Sequence, residues 1–332
     1  MQAARITGRD GPTSVALAEM APPSPGPGEV LVQVRAAALN RADLLQSLGL
    51  YPAPPGVVPD VPGLEFSGVV ASVGPRAGRF APGDRVMGLV PGGALAERVV
   101  LHEREALPIP QGLTFEQAAA IPEAFATAFD AMVLQGGLRS GEAVLVHAAA
   151  SGVGTAATQL AAALGAQVIG TGRTEAKLER AVAECRLAFP VLCKSEPPEF
   201  AERVRSLTGG RGADLALDLV GGTYFPETLA AMAPRGRVLV VGLLAGPASP
   251  VSLGVVLTHR LTVIGTTLRS RPLEEKILLA RAFERQVLPL FAAGKLHPVV
   301  GSVLPMRAVS EALDLLARND TFGKLVLTWE AA

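Results

Sequence analysis

Hydrophobic and polar positions follow two different rhythms along this chain, and the change falls near Thr114. Before it, short apolar runs at 5–8, 15–20, 30–36, 66–73, 85–90 and 98–101 predict strands. The run at 30–36 alternates apolar and polar, as a half-buried strand does. Pro82-Gly83-Asp84 and Pro91-Gly92-Gly93 supply turns. Asn40, Arg41, Ala42 and Asp43 open a short helix that stops near Gly49, and the proline-rich stretch 51–62 predicts a rigid, extended loop. From Thr114, with Glu116 and Gln117 as an N-terminal cap region, the pattern turns helical. Pro122 interrupts it, and a second helix is predicted over 124–134. Strands near 143–148, 167–171, 190–192, 214–219, 237–242 and 261–266 then alternate with helices, which predicts a doubly wound parallel sheet. A tail of two helices (272–293 and 307–318) and one strand (324–328) is too small to be a domain and is expected to complete the N-terminal barrel.

The alternating part is organised around residues 143–177. A strand to Ala148, a tight turn, a helix from about 155 to 164 closed by Gly165, and a strand at 167–171 make a βαβ unit. Small residues at such a turn let a diphosphate reach the helix N-terminus, where free N–H groups and the dipole favour anions. The GxxGxxG spacing is filled by Ala148, Ser151 and Gly154, a degenerate form that also suits a close-packed turn without ligand. After the second strand come Gly172, Arg173 and Thr174, with Lys177 one turn on. Two cations and a hydroxyl favour a ribose 2′-phosphate over a 2′-hydroxyl, hence NADP(H) over NAD(H), although Glu175 argues the other way. Gly221-Gly222 and Gly242 end later strands, where glycine serves either a close ligand or a plain turn.

Composition narrows the function. At 332 residues, half of them hydrophobic, the chain suits two domains. A formal net charge of zero, with no evident basic face, argues against nucleic acid or anionic membrane as primary partners. With no run of transmembrane length and no signal-like N-terminus, a soluble, cytoplasmic protein is expected. Cys185 and Cys193 read as buried packing, and two cysteines exclude a four-thiolate zinc. His147, ending the first strand of the parallel sheet, reads as a core histidine satisfied by backbone. No Ser–His–Asp or paired-carboxylate pattern supports a hydrolase.

Several segments, in order and spacing, resemble the zinc-independent quinone oxidoreductases of the medium-chain dehydrogenase/reductase superfamily, closest to the tumour-suppressor-inducible branch. They are AALNRADLLQ at 37–46, PGLEFSGVV at 62–70, VPGG at 90–93, LTFEQAAAIPEAFATAF at 113–129, HAAASGVGTAATQL at 147–160, TTLRSRP at 266–272 and FGKLVL at 322–327. The resemblance implies an α/β chain of a GroES-like β-barrel catalytic domain (1–122, completed by 267–332) and a Rossmann NADP(H)-binding domain (123–266), with the active site in the cleft between. It also implies reduction of quinones or related electrophilic enones by NADPH. Cofactor contacts carried over by motif position are Asn40, Thr127, Ser151, Gly152, Val153, Gly172, Arg173, Lys177, Gly242, Leu243, Leu268, Ser270 and Lys324. A homodimer, or a dimer of dimers, is expected through edge strands of the cofactor domains.

The chain departs from related enzymes in three ways, the first being Arg173-Thr174 where the closest branch has small serines after the second strand, which would strengthen phosphate binding. Leu192-Cys193-Lys194 stands where they often carry an Asn-Tyr pair. Where zinc alcohol dehydrogenases place Cys, Gly-His-Glu and a later Cys, this chain has Asn40, Gly63-Leu64-Glu65 and a cysteine-free 122–126 segment. Amide and alkyl groups make no catalytic zinc site, so no metal is expected. Asn40 is the candidate for polarising substrate or orienting nicotinamide. Asp43 is the candidate for ordering the Asn40–Arg41 loop, and Tyr51 for lining the entrance. Their structural alternatives are helix cap, helix salt bridge and loop packing. An enoyl or 2-alkenal reductase and a catalytically silent NADPH-binding sensor are the competing functions.

Overall fold

A computed structural model describes residues 1–329. The chain divides into two compact units, Met1–Ala126 with the chain from Leu268 onward, and Thr127–Thr267.

In the first unit, β1 (Gln2–Ile6) pairs with β2 (Val15–Glu19). The strand β3 (Glu29–Ala38) is followed by α1 (Arg41–Ser47), β4 (Glu65–Val73), β5 (Arg85–Leu89), β6 (Arg98–His102) and β7 (Leu107–Pro108). The helix α2 (Phe115–Ala119) starts at Thr114, whose hydroxyl and the Gln117 side chain exchange bonds with each other's backbone N–H. The expected break between two helices falls at Ala120–Ile121, with Pro122 as the first residue of the second. Pro122 can begin α3 (Pro122–Phe129) because a proline at the first helical position loses no needed donor.

The second unit holds β8 (Ala143–Val146), α4 (Gly152–Ala163), β9 (Gln167–Gly172), α5 (Glu175–Cys185), β10 (Phe189–Leu192), α6 (Ala201–Leu207), β11 (Ala213–Asp218), α7 (Tyr224–Ala231), β12 (Met232–Val240), α8 (Leu253–His259) and β13 (Thr262–Gly265). Its strands form one parallel sheet in the order β10-β9-β8-β11-β12-β13. All strand C-termini therefore lie along one edge, where ligands of such sheets bind. Leu145, Ile169, Val191, Ala216 and Val238 pack with Phe200, Leu229 and Met232 as its core. After α3 the chain makes a π-helical turn, Asp130–Gln135. Gln135 donates to Asp130 (2.5 Å) and to Thr266 (2.7 Å), and Thr266 donates to Asp130 at 3.1 Å.

The tail adds α9 (Leu273–Gln286), α10 (Leu288–Ala292), β14 (Val300–Pro305), α11 (Val309–Ala317) and β15 (Lys324–Thr328). The single helix expected over 272–293 is two, because Pro289 lacks the N–H that would continue the first. β15 pairs antiparallel with β3 and parallel with β14, completing a seven-stranded sheet. Val30, Val32, Val34, Phe66, Val86 and Leu327 fill the core of this unit.

Candidate active site

In the second unit the turn after β8 is built around an alanine in an unusual conformation. Ala148 has φ +48°, in the left-handed region, which costs a non-glycine residue about 1–2 kcal/mol. The helix begins three residues earlier than the sequence pattern suggested, so Gly152 and Gly154 belong to its first turn rather than to the loop. Gly154 is compulsory there: a Cβ would come within 2.2 Å of the Ala148 carbonyl oxygen. Ser151 caps the helix, its hydroxyl accepting the Gly154 N–H at 3.0 Å, while its own N–H is held by Ala148. The backbone N–H groups of Gly152 and Val153 are the first-turn donors left over, as an anion site requires. This donor set, on a tightly closed turn, fits a dinucleotide diphosphate.

Along the same sheet edge, β9 ends at Gly172 and releases Arg173 and Thr174, both exposed, with Lys177 half-buried on α5. Glu175 is exposed at the first position of α5. Gly242 follows β12 so closely on Leu219 that a Cβ would meet its carbonyl at 2.5 Å, and Leu243 next to it is exposed. The structure thus brings Ser151, Gly152, Val153, Gly172, Arg173, Lys177, Gly242 and Leu243 to one edge of one sheet. Thr127 is buried on α3.

His147 is fully buried, and hydroxyls rather than backbone satisfy its ring. Thr228 donates its proton to the Tyr224 carbonyl (2.9 Å), so its oxygen must accept from Nε2 of His147 at 2.8 Å. Nδ1 then accepts from Thr171 at 2.9 Å. Burial lowers the histidine's pKa, against the pull of the Asp218 charge, and the neutral ring is a structural brace. Cys185 is likewise inert, its thiol pushed up to about 12 by burial. Cys193 is buried beside the Tyr224 hydroxyl.

In the first unit a buried ion network includes Asn40 and Glu65, two of the positions compared above with zinc ligands. Lys324 Nζ donates to Asn40 Oδ1 (2.6 Å) and to the Leu39 carbonyl (2.8 Å), and pairs with Glu65 Oε1 at 2.6 Å. Three partners use all three ammonium protons. Asn40 Nδ2 donates to Glu65 Oε1 (3.0 Å) and the Ala38 carbonyl (3.2 Å), and Glu65 Oε2 accepts the Glu123 N–H at 2.8 Å. Leu64 is buried and apolar. Among the described residues no cluster of three or more His, Cys, Asp or Glu could hold a metal ion. Leu268 is buried and Ser270 exposed.

Asp43 accepts the N–H of Asn40 (2.8 Å) on one oxygen and of Gly63 (2.7 Å) on the other, ordering the loop into α1. Burial pushes its carboxyl up to about 6, opposed by those two N–H donors and by Lys324 and Arg269. The folded chain therefore binds more protons than the unfolded chain between about pH 4 and pH 6. Asp43's contribution to stability is largest below about pH 4 and falls as the pH rises towards its folded pKa. Asp43→Asn puts an amide donor against a backbone N–H and is expected to cost about 1–3 kcal/mol at neutral pH. It should also remove this component of the pH slope. Denaturant titrations of both proteins at several pH values check this, and identical slopes would refute the assignment.

The comparisons with known proteins accord with both units. The model of the alcohol dehydrogenase GroES-like domain matches residues 26–111, and that of the zinc-binding dehydrogenase matches residues 152–284. A quinone oxidoreductase-like protein 2 homolog of Nematostella vectensis is 31% identical over 91% of this chain and 82% of its own length. The chain belongs to the medium-chain dehydrogenase/reductase superfamily. Among solved members, a quinone oxidoreductase of Pseudomonas syringae superposes with TM-score 0.87 at 32% identity, covering 98% of this chain and 99% of that one. A mycobacterial protein complexed with NADPH gives TM-score 0.88 at 29% identity, over 99% and 100% of the two chains. The CurK enoyl reductase gives 0.85 at 25% identity, over 99% of each. This superfamily member is an oxidoreductase with a GroES-like unit and a Rossmann-type unit that binds a nicotinamide dinucleotide. Among its described residues no helix is long and apolar enough to cross a membrane.

Sequence reading missed three features of the site. Glu65, inside PGLEFSGVV, is the buried carboxylate that neutralises Lys324. Arg269, inside TTLRSRP, and Gln46, inside AALNRADLLQ, meet each other in the first unit. For Glu65 the signal was a lone carboxylate in an otherwise apolar strand motif; Arg269 and Gln46 carried none.

Proposed function

We propose that this protein is an NADPH-dependent quinone oxidoreductase that works without zinc. The observation that carries the reading is the Asn40–Lys324–Glu65 network. Asn40 puts an amide and the neighbouring Leu64 an alkyl group at positions where metal-dependent relatives need thiolate and imidazole, and the network ties the Asn40 amide to the Lys324 ammonium and the Glu65 carboxylate. A quinone is electrophilic enough to accept hydride without Lewis-acid help, and NADPH supplies that hydride when bound. The chain's own part is to bind, orient and exclude water. The N–H groups of Gly152 and Val153 and the Ser151 cap take the diphosphate. Gly172 and Gly242 leave room for the rest of the dinucleotide, and Arg173, Thr174 and Lys177 take the 2′-phosphate. With both amide protons of Asn40 committed, its role is to orient rather than to polarise. Leu268, Ser270 and Thr127 complete the cofactor contacts.

The likeness to an enoyl reductase favours one second reading, hydride delivery to an activated C=C, which needs a better placed proton donor. NADPH oxidation measured over quinones and 2-alkenals, with NADH in parallel, decides. Turnover on quinones with NADPH preferred is expected. Turnover on 2-alkenals alone would establish the second reading, and tight NADPH binding with no turnover on any acceptor would mark a sensor.

We further propose a homodimer through the second unit. β13 ends its sheet, and α8 has no buried residue, with Leu253 76% and Leu257 75% exposed. Leu253→Glu with Leu257→Glu is expected to give a monomer by sedimentation; an unchanged mass would place the interface elsewhere.

A further inference from the structure

Arg269 is a buried cation in the first unit whose bonds all go to one neighbourhood. Nε donates to the Pro91 carbonyl (2.7 Å), Nη1 to the Tyr51 carbonyl (3.1 Å) and Nη2 to Gln46 Oε1 (2.6 Å). The guanidinium also lies over the Tyr51 ring, 4.9 Å from its centroid. Gln46 is itself buried, and its Nε2 donates to the Pro59 carbonyl at 2.9 Å. One side-chain pair therefore holds both ends of the 51–59 loop, at Tyr51 and at Pro59, and ties them to the VPGG turn. Between those ends, the Val57 side chain packs so closely on the same turn that a Cβ at Gly92 would lie 2.7 Å from it. A backbone bond from the Val57 N–H to the Pro54 carbonyl ties the loop internally, and Pro52, Pro54 and Pro55 stiffen it.

We propose that Arg269 and Gln46 are positioning residues that fix the Tyr51 ring as a preset wall for a planar acceptor. This rests on the quinone-reductase reading, with Tyr51 lining the entrance through which the acceptor comes. The planar fork is essential, because its three nitrogens reach three oxygens on three different segments, and a lysine is a single point charge. A ring held by its own carbonyl and by a stacked cation is oriented before the acceptor arrives, so binding has less ordering to do.

The test joins kinetics to a spectroscopic probe. With 1,2-naphthoquinone and NADPH, Arg269→Lys is expected to raise the acceptor KM about tenfold and leave the NADPH KM within about twofold. In a Tyr51→Ala background the same substitution should add less than about twofold, since the ring through which it acts is gone. Equal rises in both KM values, or effects that simply multiply, would overturn the proposal. If Arg269→Lys fails to fold, Gln46→Met cuts the Pro59 tie and one Arg269 bond and carries the same expectations. The chain has two tyrosines, so fluorotyrosine labelling gives two fluorine resonances, assigned with Tyr51→Phe. The Tyr51 signal should be single and sharp in the parent and broadened or split in Arg269→Lys or Gln46→Met. An unchanged signal refutes the clamp. A parent with no quinone turnover instead refutes the function, and the fluorine spectra still decide the clamp.

Discussion

NADPH binding to a chain carrying Arg173→Ala and Lys177→Ala is expected to fall by about two orders of magnitude, with NADH binding changed by less than about threefold. The two coenzymes differ only in the 2′-phosphate, so a loss confined to one isolates contacts to that group. Each charge-assisted bond to phosphate contributes about 1.5–3 kcal/mol. Arg173 is exposed and Lys177 half-buried, so solvent screening puts the pair at the lower end. The loss should shrink as salt is raised, because both charges act near water. Isothermal titration with each coenzyme at two ionic strengths measures all four quantities. Equal losses for NADPH and NADH would show that the two cations serve the diphosphate or the fold.

The second large effect concerns stability. Lys324→Met leaves the Glu65 carboxylate buried beside an amide with no cation, and removing one partner of a buried pair costs about 3–5 kcal/mol. For a unit of this size that lowers Tm by something on the order of 10 °C. Adding Glu65→Gln should recover a large part of the loss, since the cost lies in the unpaired charge rather than in the missing contact. The proof is this non-additivity, read by calorimetry. A single variant that loses less than about 1 kcal/mol would refute the pair as a large contributor to stability.

Periodicity carried the architecture well because both units bury their apolar faces in regular ways. Residues 324–328 and the strands of the parallel sheet lie within a few positions of where alternation and run length put them. The errors came where a local rule yields to its surroundings. Helix α4 starts at Gly152, since a glycine in a first turn is tolerated when the backbone packs as closely as it does against Ala148. Strand β14 escaped notice because its 300–305 run is largely exposed and ends in proline, so its pattern is not that of a buried strand. For the site, Ser151, Gly152 and Arg173 could be placed from the order of elements alone. The Lys324–Glu65 pair joins residues far apart in sequence, and the Arg269–Gln46 contact likewise, so no local spacing announces either.

The small network of Asp130, Gln135 and Thr266 has an architectural meaning. Asp130 lies just inside the point where the chain enters the second unit, and Thr266 just before it leaves. Their side chains bond directly, so entry and exit share one small spot on that unit. The parallel-sheet unit is thus one unbroken stretch of chain whose two ends are fastened to each other by three polar side chains. A change of loop length elsewhere in that unit is therefore expected to leave its two ends side by side, with the other unit's chain entering and leaving at the same place.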